Sequence, residues 1–224
     1  MTMNTSYHSQ AFSGHFGDLP FDVDDIDVSL WLEIKSILLA FEQNQAANAN
    51  QAECLVTLMI ALHNDLERKP PFSFAIQHAS TAPRGDAAWA KLLLWQDDES
   101  YLELITYYAD YPTPIHDHPG LAIVNLPLSG RLNIEYYSTG HAALESSYPI
   151  AKIRRTETHT YGAYEASMCF PWQKNIQEIR SISERCVVLS AGLRPNREQE
   201  NSWFLPISPQ NTDNFFVQRL RRNE

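Results

Sequence analysis

Disulfide chemistry has little to work with in this chain: 224 residues contain three cysteines, Cys54, Cys169 and Cys186, odd in number and far apart. No C-x2-C pair occurs, so neither a disulfide framework nor a cysteine-ligated zinc site is expected. Basic residues are also scarce, 17 Lys and Arg against 27 Asp and Glu, and the net charge is −10. Phosphate backbones require a basic face, so nucleic acid is not expected as the main partner. No apolar run approaches the length of a membrane span. Residues 1–17 are polar, unlike a charged-then-apolar leader. A cytoplasmic, reducing setting without a membrane partner is the corresponding expectation. Internal repeats are lacking, and the one biased stretch is a short Asn/Gln/Ala linker at 43–51.

What remains is an ordinary globular composition, 44% apolar, in a chain long enough for one sizeable domain with additions. Residues 1–26 read as a poorly ordered lead-in. Its closing acidic run, 22–27, suits the positive end of a following helix dipole. From Ser29 onward Leu30, Leu32, Ile34, Ile37, Leu38, Leu39 and Phe41 recur at helical spacing. A second helix is expected over about 52–67 on Leu55, Leu58, Met59, Ala61 and Leu62, ending before Pro70 and Pro71. Residues 27–80 thus form a helical extension packed on the outside of a barrel. Beyond residue 86 the texture turns to short strands, at 91–96, 101–108, 121–126, 131–137, 150–156, 158–161, 168–170, 176–182 and 186–193. Turns carrying Gly, Pro, Ser or Asp separate many of them, which predicts an all-β sandwich or barrel over 81–196. The tail, 197–224, is polar with apolar patches at 203–205 and 215–217, and is expected to wrap the barrel.

The residues with chemistry to offer stand in the run Pro114-Ile115-His116-Asp117-His118-Pro119-Gly120. Two histidines at i and i+2 on a strand share a face, so both imidazoles can approach one ion. Imidazole nitrogen suits iron, zinc, copper, nickel or manganese. The frame sharpens the pair: a strand ending in Pro-Gly, a second strand, and a turn at Gly130.

The stretch from His116 to Gly130 resembles the first metal motif of cupins. It is most similar to the thiol dioxygenases: cysteine dioxygenase, cysteamine dioxygenase and the plant cysteine oxidases. The run H-D-H-P-G, nine residues and a Gly has the spacing of the cysteamine and plant branches. The strand 101–106 leading to His116, and the stretch 175–183 followed by Val187-Val188-Leu189-Ser190, resemble the corresponding strands of cysteine dioxygenase. The likeness covers roughly residues 85–196. It implies a double-stranded β-helix (jelly-roll) barrel, a single Fe(II) or other divalent transition metal, and O2 as co-substrate in oxidising a small thiol.

The resemblance also exposes departures. The family's third histidine falls on Gln177, whose amide oxygen is a neutral, weaker donor. The position of the cupin glutamate falls on Ile123, as does the cysteine that cross-links to a tyrosine in animal cysteine dioxygenases. The substrate-carboxylate arginine falls near Ala90 or Lys91, and of these Lys91 has the charge. His159, on the preceding strand, and His141, near a loop, are alternative third nitrogens. Glu178 faces away from Gln177 if both lie on one strand, and Arg180 does likewise. Of Tyr107 and Tyr108, one must face inward and could hydrogen-bond a substrate. Trp172 could line the pocket, whereas His8 and His15 fall in the lead-in and are expected to be solvated, and His63 and His78 lack partners at ligand spacing. The expected function is a mononuclear Fe(II) dioxygenase-like cupin acting on a small molecule, a thiol or a relative. The alternatives are a different cupin metalloenzyme with an atypical ligand set, or a small-molecule-binding cupin whose catalytic site has decayed.

Overall fold

The computed structural model describes residues 13–15, 27–44, 49–81, 88–109, 111–139, 150–170, 173–193, 202–208 and 213–221. Its strands are β1 (Ser13–His15), β2 (Trp89–Gln96), β3 (Ser100–Tyr108), β4 (Ile115–Asp117), β5 (Ala122–Ser129) and β6 (Leu132–Thr139). They continue with β7 (Ile150–Tyr161), β8 (Ser167–Cys169), β9 (Ile176–Ser181), β10 (Arg185–Leu193), β11 (Ser202–Pro206) and β12 (Asn214–Arg221). The helices are α1 (Val28–Asn44), α2 (Ala49–Glu67) and α3 (Pro70–Thr81).

Strand β3 explains the layering. Leu102, Leu104 and Thr106 point to one side, and Glu103, Ile105 and Tyr107 to the other, all of them buried. A strand buried on both faces must lie between two layers. One layer is helical: Trp31, Ile34, Leu38 and Phe41 of α1 and Leu55, Met59, Leu62 and Leu66 of α2 join Leu102, Leu104, Leu189 and Ala191 in one core. Their i, i+3, i+4 spacing gives each helix a single apolar stripe, and each fully buried side chain contributes about 1.5–3 kcal/mol. The other layer is a second sheet.

In the first sheet β3, β10, β5 and β8 are neighbours in that order; in the second, β4, β9, β6 and β7 are. From β3 to β10 consecutive strands thus alternate between facing antiparallel sheets, except for the β6–β7 hairpin within the second sheet, the interleaving of two Greek keys in a jelly roll. The fold is all-β with N-terminal helices, a double-stranded β-helix, as the sequence leads one to expect.

Four features differ from expectation. Pro70 and Pro71 open α3 rather than only ending α2, because a proline fits the first helical turn, where no donor is needed. Part of the lead-in, Ser13–His15, pairs in parallel with β2, whose edge offers unpaired backbone groups; the other residues of 1–26 lie outside the described residues. The tail supplies two strands: β11 pairs with β4 and β12 with β7, closing the second sheet into a six-stranded barrel. Ile115, Tyr137, Ile153, Ile176, Phe204, Phe215 and Val217 fill that barrel. The predicted strands at 150–156 and 158–161 are one strand, β7.

Local bonds secure the junctions. Asp27 caps α1, its Oδ1 accepting from the Ser29 and Leu30 backbone N–H groups at 3.0 and 3.3 Å. Lys35 of α1 reaches Asp97 Oδ2 in the β2–β3 turn at 2.9 Å. Gly130, at φ +75°, makes the turn between β5 and β6 in the left-handed region, where a side chain would be strained.

Candidate metal centre

Strand β4 has three residues and ladder partners on both sides, and this places His116. His116 is in register with Gln177 of β9 and with Trp203 of β11, and Gln177 is in register with Tyr136 of β6. Trp203, His116, Gln177 and Tyr136 therefore form one row across four strands, on the face turned toward the first sheet. His118 follows one residue after β4 on the same side, its ring 4.7 Å from that of His116 at 79°. Its backbone N–H donates to the Asn175 carbonyl at 3.1 Å, which holds the turn against the start of β9.

The polar geometry sets the tautomers. His116 Nδ1 lies 2.8 Å from the Pro114 carbonyl, to which only an N–H can donate. Nε2 then carries the lone pair. Burial pushes the His116 imidazolium down to about 4, with the Pro114 carbonyl opposing and Lys91 adding repulsion, so the ring is neutral at pH 7. Gln177 is buried, and its Nε2 lies 3.0 Å from His118 Nε2. In that pose the amide donates to the imidazole; turned over, the carboxamide offers Oε1 at the same position.

The other expected residues separate. Tyr107 faces inward, in one buried cluster with Trp89, Tyr136 and Cys186, against which Trp203 packs. Burial raises its hydroxyl pKa far above neutrality, with Glu103 adding to the effect, so it stays protonated. Tyr108 faces the opposite way, with the Arg185 guanidinium 5.7 Å from its ring, because adjacent residues of a strand alternate; its inclusion in the site is corrected. Lys91 lies on the inner face, its Nζ 2.8 Å from Glu103 Oε1. His159 is not a third ligand in this geometry. It sits on β7, three strands from β4, about 14 Å at ordinary strand spacing, and its half-exposed Nε2 lies 2.9 Å from Glu157 Oε2. His141 and Trp172 lie outside the described residues.

Glu178 faces away from Gln177, across the ladder from Glu135, and burial with that neighbouring carboxylate pushes its pKa up to about 7. Arg180 is exposed. Among the described residues no group of three or more His, Cys, Asp or Glu comes together. The donors that do converge are two imidazoles and one carboxamide. This neutral set fits a borderline divalent ion and not a hard one such as Mg2+, which seeks carboxylate oxygen. The fit requires the Gln177 amide to give up its bond to His118 and turn its oxygen inward.

Several neighbours escaped the sequence reading. Trp203 comes within 5.5 Å of the His116 ring and 6.1 Å of Trp89, between centroids. Asp117, between the two histidines, points to the opposite face, where its Oδ1 accepts the Ser202 backbone N–H at 2.5 Å and Arg219 Nη2 lies 3.7 Å from Oδ2. Burial pushes the Asp117 carboxyl up, while Ser202 and Arg219 pull it down. The apolar patch at 203–205 was the available signal for Trp203; pairing of β11 with β4 has no local signature. A groove of about 680 Å³ lies elsewhere, between α2 and β8, lined among others by Val56, Tyr161, Met168, Phe170 and Lys174. It meets the inner row at Tyr136, whose hydroxyl is 3.2 Å from that of Tyr161 and whose ring lies 5.0 Å below Lys174 Nζ.

Comparison with known proteins returned no matching family model and no matching curated protein. Among solved structures, a cupin superfamily protein from Desulfitobacterium hafniense is 15% identical, covering 51% of this chain and 85% of its own at a TM-score of 0.37. A conserved protein with a double-stranded β-helix domain from Klebsiella pneumoniae is 10% identical, covering 55% and 85% at 0.39. A cupin-2 domain protein from Shewanella frigidimarina is 14% identical, covering 53% and 89% at 0.36. The interleaved strand order carries the fold assignment by itself. No helix among the described residues is long and apolar enough to cross a membrane.

Proposed function

We propose that this chain is a mononuclear metal-binding cupin of the Fe(II) dioxygenase type, acting on a small thiol or related small molecule. The observation that supports this reading is the convergence of two histidine rings, 4.7 Å apart, with the buried Gln177 amide on one inner face. His116 and His118 hold the ion through imidazole nitrogen, and Gln177 completes the set through its amide oxygen. Fe(II), when bound by two imidazoles and an amide, supplies open coordination positions for substrate and O2. The remaining roles belong to the chain. His116 Nδ1, tied to Pro114, fixes the ring pose. Lys91 offers an ammonium to an anionic group of the substrate, at the expense of its bond to Glu103. Tyr107, held protonated by burial, offers a hydroxyl donor. Trp89, clustered with Tyr136 and Trp203 at the two ends of the row, covers it with apolar surface and excludes water.

A second reading, a small-molecule-binding cupin without catalysis, draws on a specific observation. Large side chains already pack the inner face beside His116, and the 680 Å³ groove lies on the far side of Tyr136. The two readings part on one experiment: anaerobic loading with Fe(II), then O2 uptake with cysteine and cysteamine, for the wild type and Gln177→His. Iron-dependent uptake, rising in Gln177→His, supports the oxygenase reading. Iron binding without uptake in either protein contradicts it and favours the binding module.

A further inference from the structure

The C-terminal hairpin is chemically tied to the histidine strand. Strand β4 has two register pairs with β9 and two with β11, so half of its ladder is supplied by residues from the tail. A three-residue strand with so few bonds has its pose set by whatever grips its side chains. The grip is Asp117: Oδ1 takes the Ser202 N–H at 2.5 Å, and Oδ2 faces Arg219 Nη2 at 3.7 Å. Arg219 Nε in turn donates to Ser202 Oγ at 2.8 Å, so one guanidinium spans both partners. Asp117 is 2% exposed and the Arg219 side chain 18%, so the linkage is largely shielded from water. Because side chains alternate, fixing Asp117 on the Ile115 face of β4 fixes His116 and His118 on the face toward the first sheet.

We propose that Arg219 is a positioning residue of the metal centre, acting through Asp117 and Ser202 on the pose of His116 and His118. This rests on the metal-binding reading above. The same hairpin sets Trp203 against His116, 5.5 Å between ring centroids, so an indole reports on the site. Partners outside a metal's own ligand shell change affinity by about 10–100-fold when removed, and Arg219 stands one residue further out, at the low end of that range.

Cobalt(II) alone tests it, as a divalent ion with visible d–d bands that quenches nearby indole emission. The full chain is titrated with cobalt(II), following the bands and tryptophan fluorescence, as wild type, Arg219→Gln, Arg219→Lys and Trp203→Phe. Expected are a site in the wild type with quenching that shrinks in Trp203→Phe, and affinity in Arg219→Gln weakened about tenfold. The d–d bands shift in Arg219→Gln while its cobalt-free melting temperature stays within a few degrees of wild type, and Arg219→Lys lies between the two. Unchanged affinity and bands in Arg219→Gln overturn the proposal, as does an affinity loss that tracks the unfolded fraction. If Arg219→Gln does not fold, Ser202→Ala serves, since it removes the hydroxyl that receives Arg219 Nε and keeps the Ser202 N–H. A cobalt affinity in Ser202→Ala equal to wild type overturns the proposal equally. Absence of any site in the wild type instead overturns the metal-binding reading.

Discussion

Replacing Gly130 by alanine places a methyl group where the backbone of β10 already lies. A Cβ built on Gly130 falls 2.2 Å from the Arg185 carbonyl oxygen and 2.9 Å from Cys186 Cα. Both are main-chain atoms at the start of a central strand, so the turn between β5 and β6 must move as a unit. Gly130 also holds φ +75°, a conformation that costs an L-residue about 1–2 kcal/mol. Overpacking against an immovable neighbour adds about 1–3 kcal/mol. Together about 2–5 kcal/mol is lost, a large share of the roughly 5–15 kcal/mol that holds a typical domain together. Urea unfolding followed by tryptophan fluorescence measures it, with the midpoint falling and the slope m unchanged. Gly162→Ala is the matched control. Its added Cβ meets only the Glu165 carboxylate, at 3.3 Å on a flexible side chain, and φ is not positive. A loss below about 0.5 kcal/mol is expected there. Gly130→Ala as stable as Gly162→Ala would contradict the placement of this turn against β10.

A second glycine predicts coupling rather than simple loss. A Cβ at Gly192 falls 2.2 Å from the Tyr101 ring, its register partner on β3, so Gly192→Ala is expected to be costly alone and tolerated in a Tyr101→Ala background. Additive losses in that double-mutant cycle would contradict the contact. Burial holds the His63 imidazolium below its usual pKa, with Glu67 and Asn64 opposing, in contact with Phe72 and Tyr164. The unfolded chain then takes up a proton near pH 6.5 that the folded chain refuses, so this contribution to stability is lost as pH falls below about 6.5. His63→Phe is expected to lose less stability than wild type between pH 7 and 5, by urea unfolding; parallel pH profiles would sink the assignment. Asp97 is held at about 2: burial raises it, but bonds from Lys35, Ser100 and the Glu99 and Ser100 backbone together outweigh that. Its side chain is 35% exposed, so after allowance for screening Asp97→Asn is expected to cost about 1 kcal/mol at pH 7 and nothing below pH 2, because the carboxylate is ionised only above its folded pKa. A cost that persists below pH 2 would point to packing instead of charge.

Much of the barrel was legible because its signals are local. Alternation at 101–108 marks a strand with two distinct faces, and the helical stripes of α1 and α2 begin and end close to where caps and polar linkers put them. The histidine pair was legible for the same reason, since two residues at i and i+2 share a face in any strand. What stayed hidden depends on long-range pairing. Nothing in residues 202–221 states that they pair with β4 and β7, and so Trp203, Ser202 and Arg219 arrive at the site from a segment read as a tail. Ladder position also decides His159: a histidine on a strand resembles a ligand until the strand order puts two other strands between it and β4. Tyr107 and Tyr108 could be told apart only once it was settled which face of β3 meets the helices. Pro70 and Pro71 show the limit of a local rule, since a proline that stops one helix equally starts the next.

The most direct test of the metal centre is metal content after anaerobic Fe(II) loading and desalting, measured on the wild type beside His116→Ala. The geometry of His116, His118 and Gln177 predicts one iron per chain in the wild type and near-complete loss in the variant, with both proteins folded by circular dichroism. Wild-type protein that leaves the column without iron, or a His116→Ala variant that retains it, would contradict the assignment of the two histidines as ligands of a single ion.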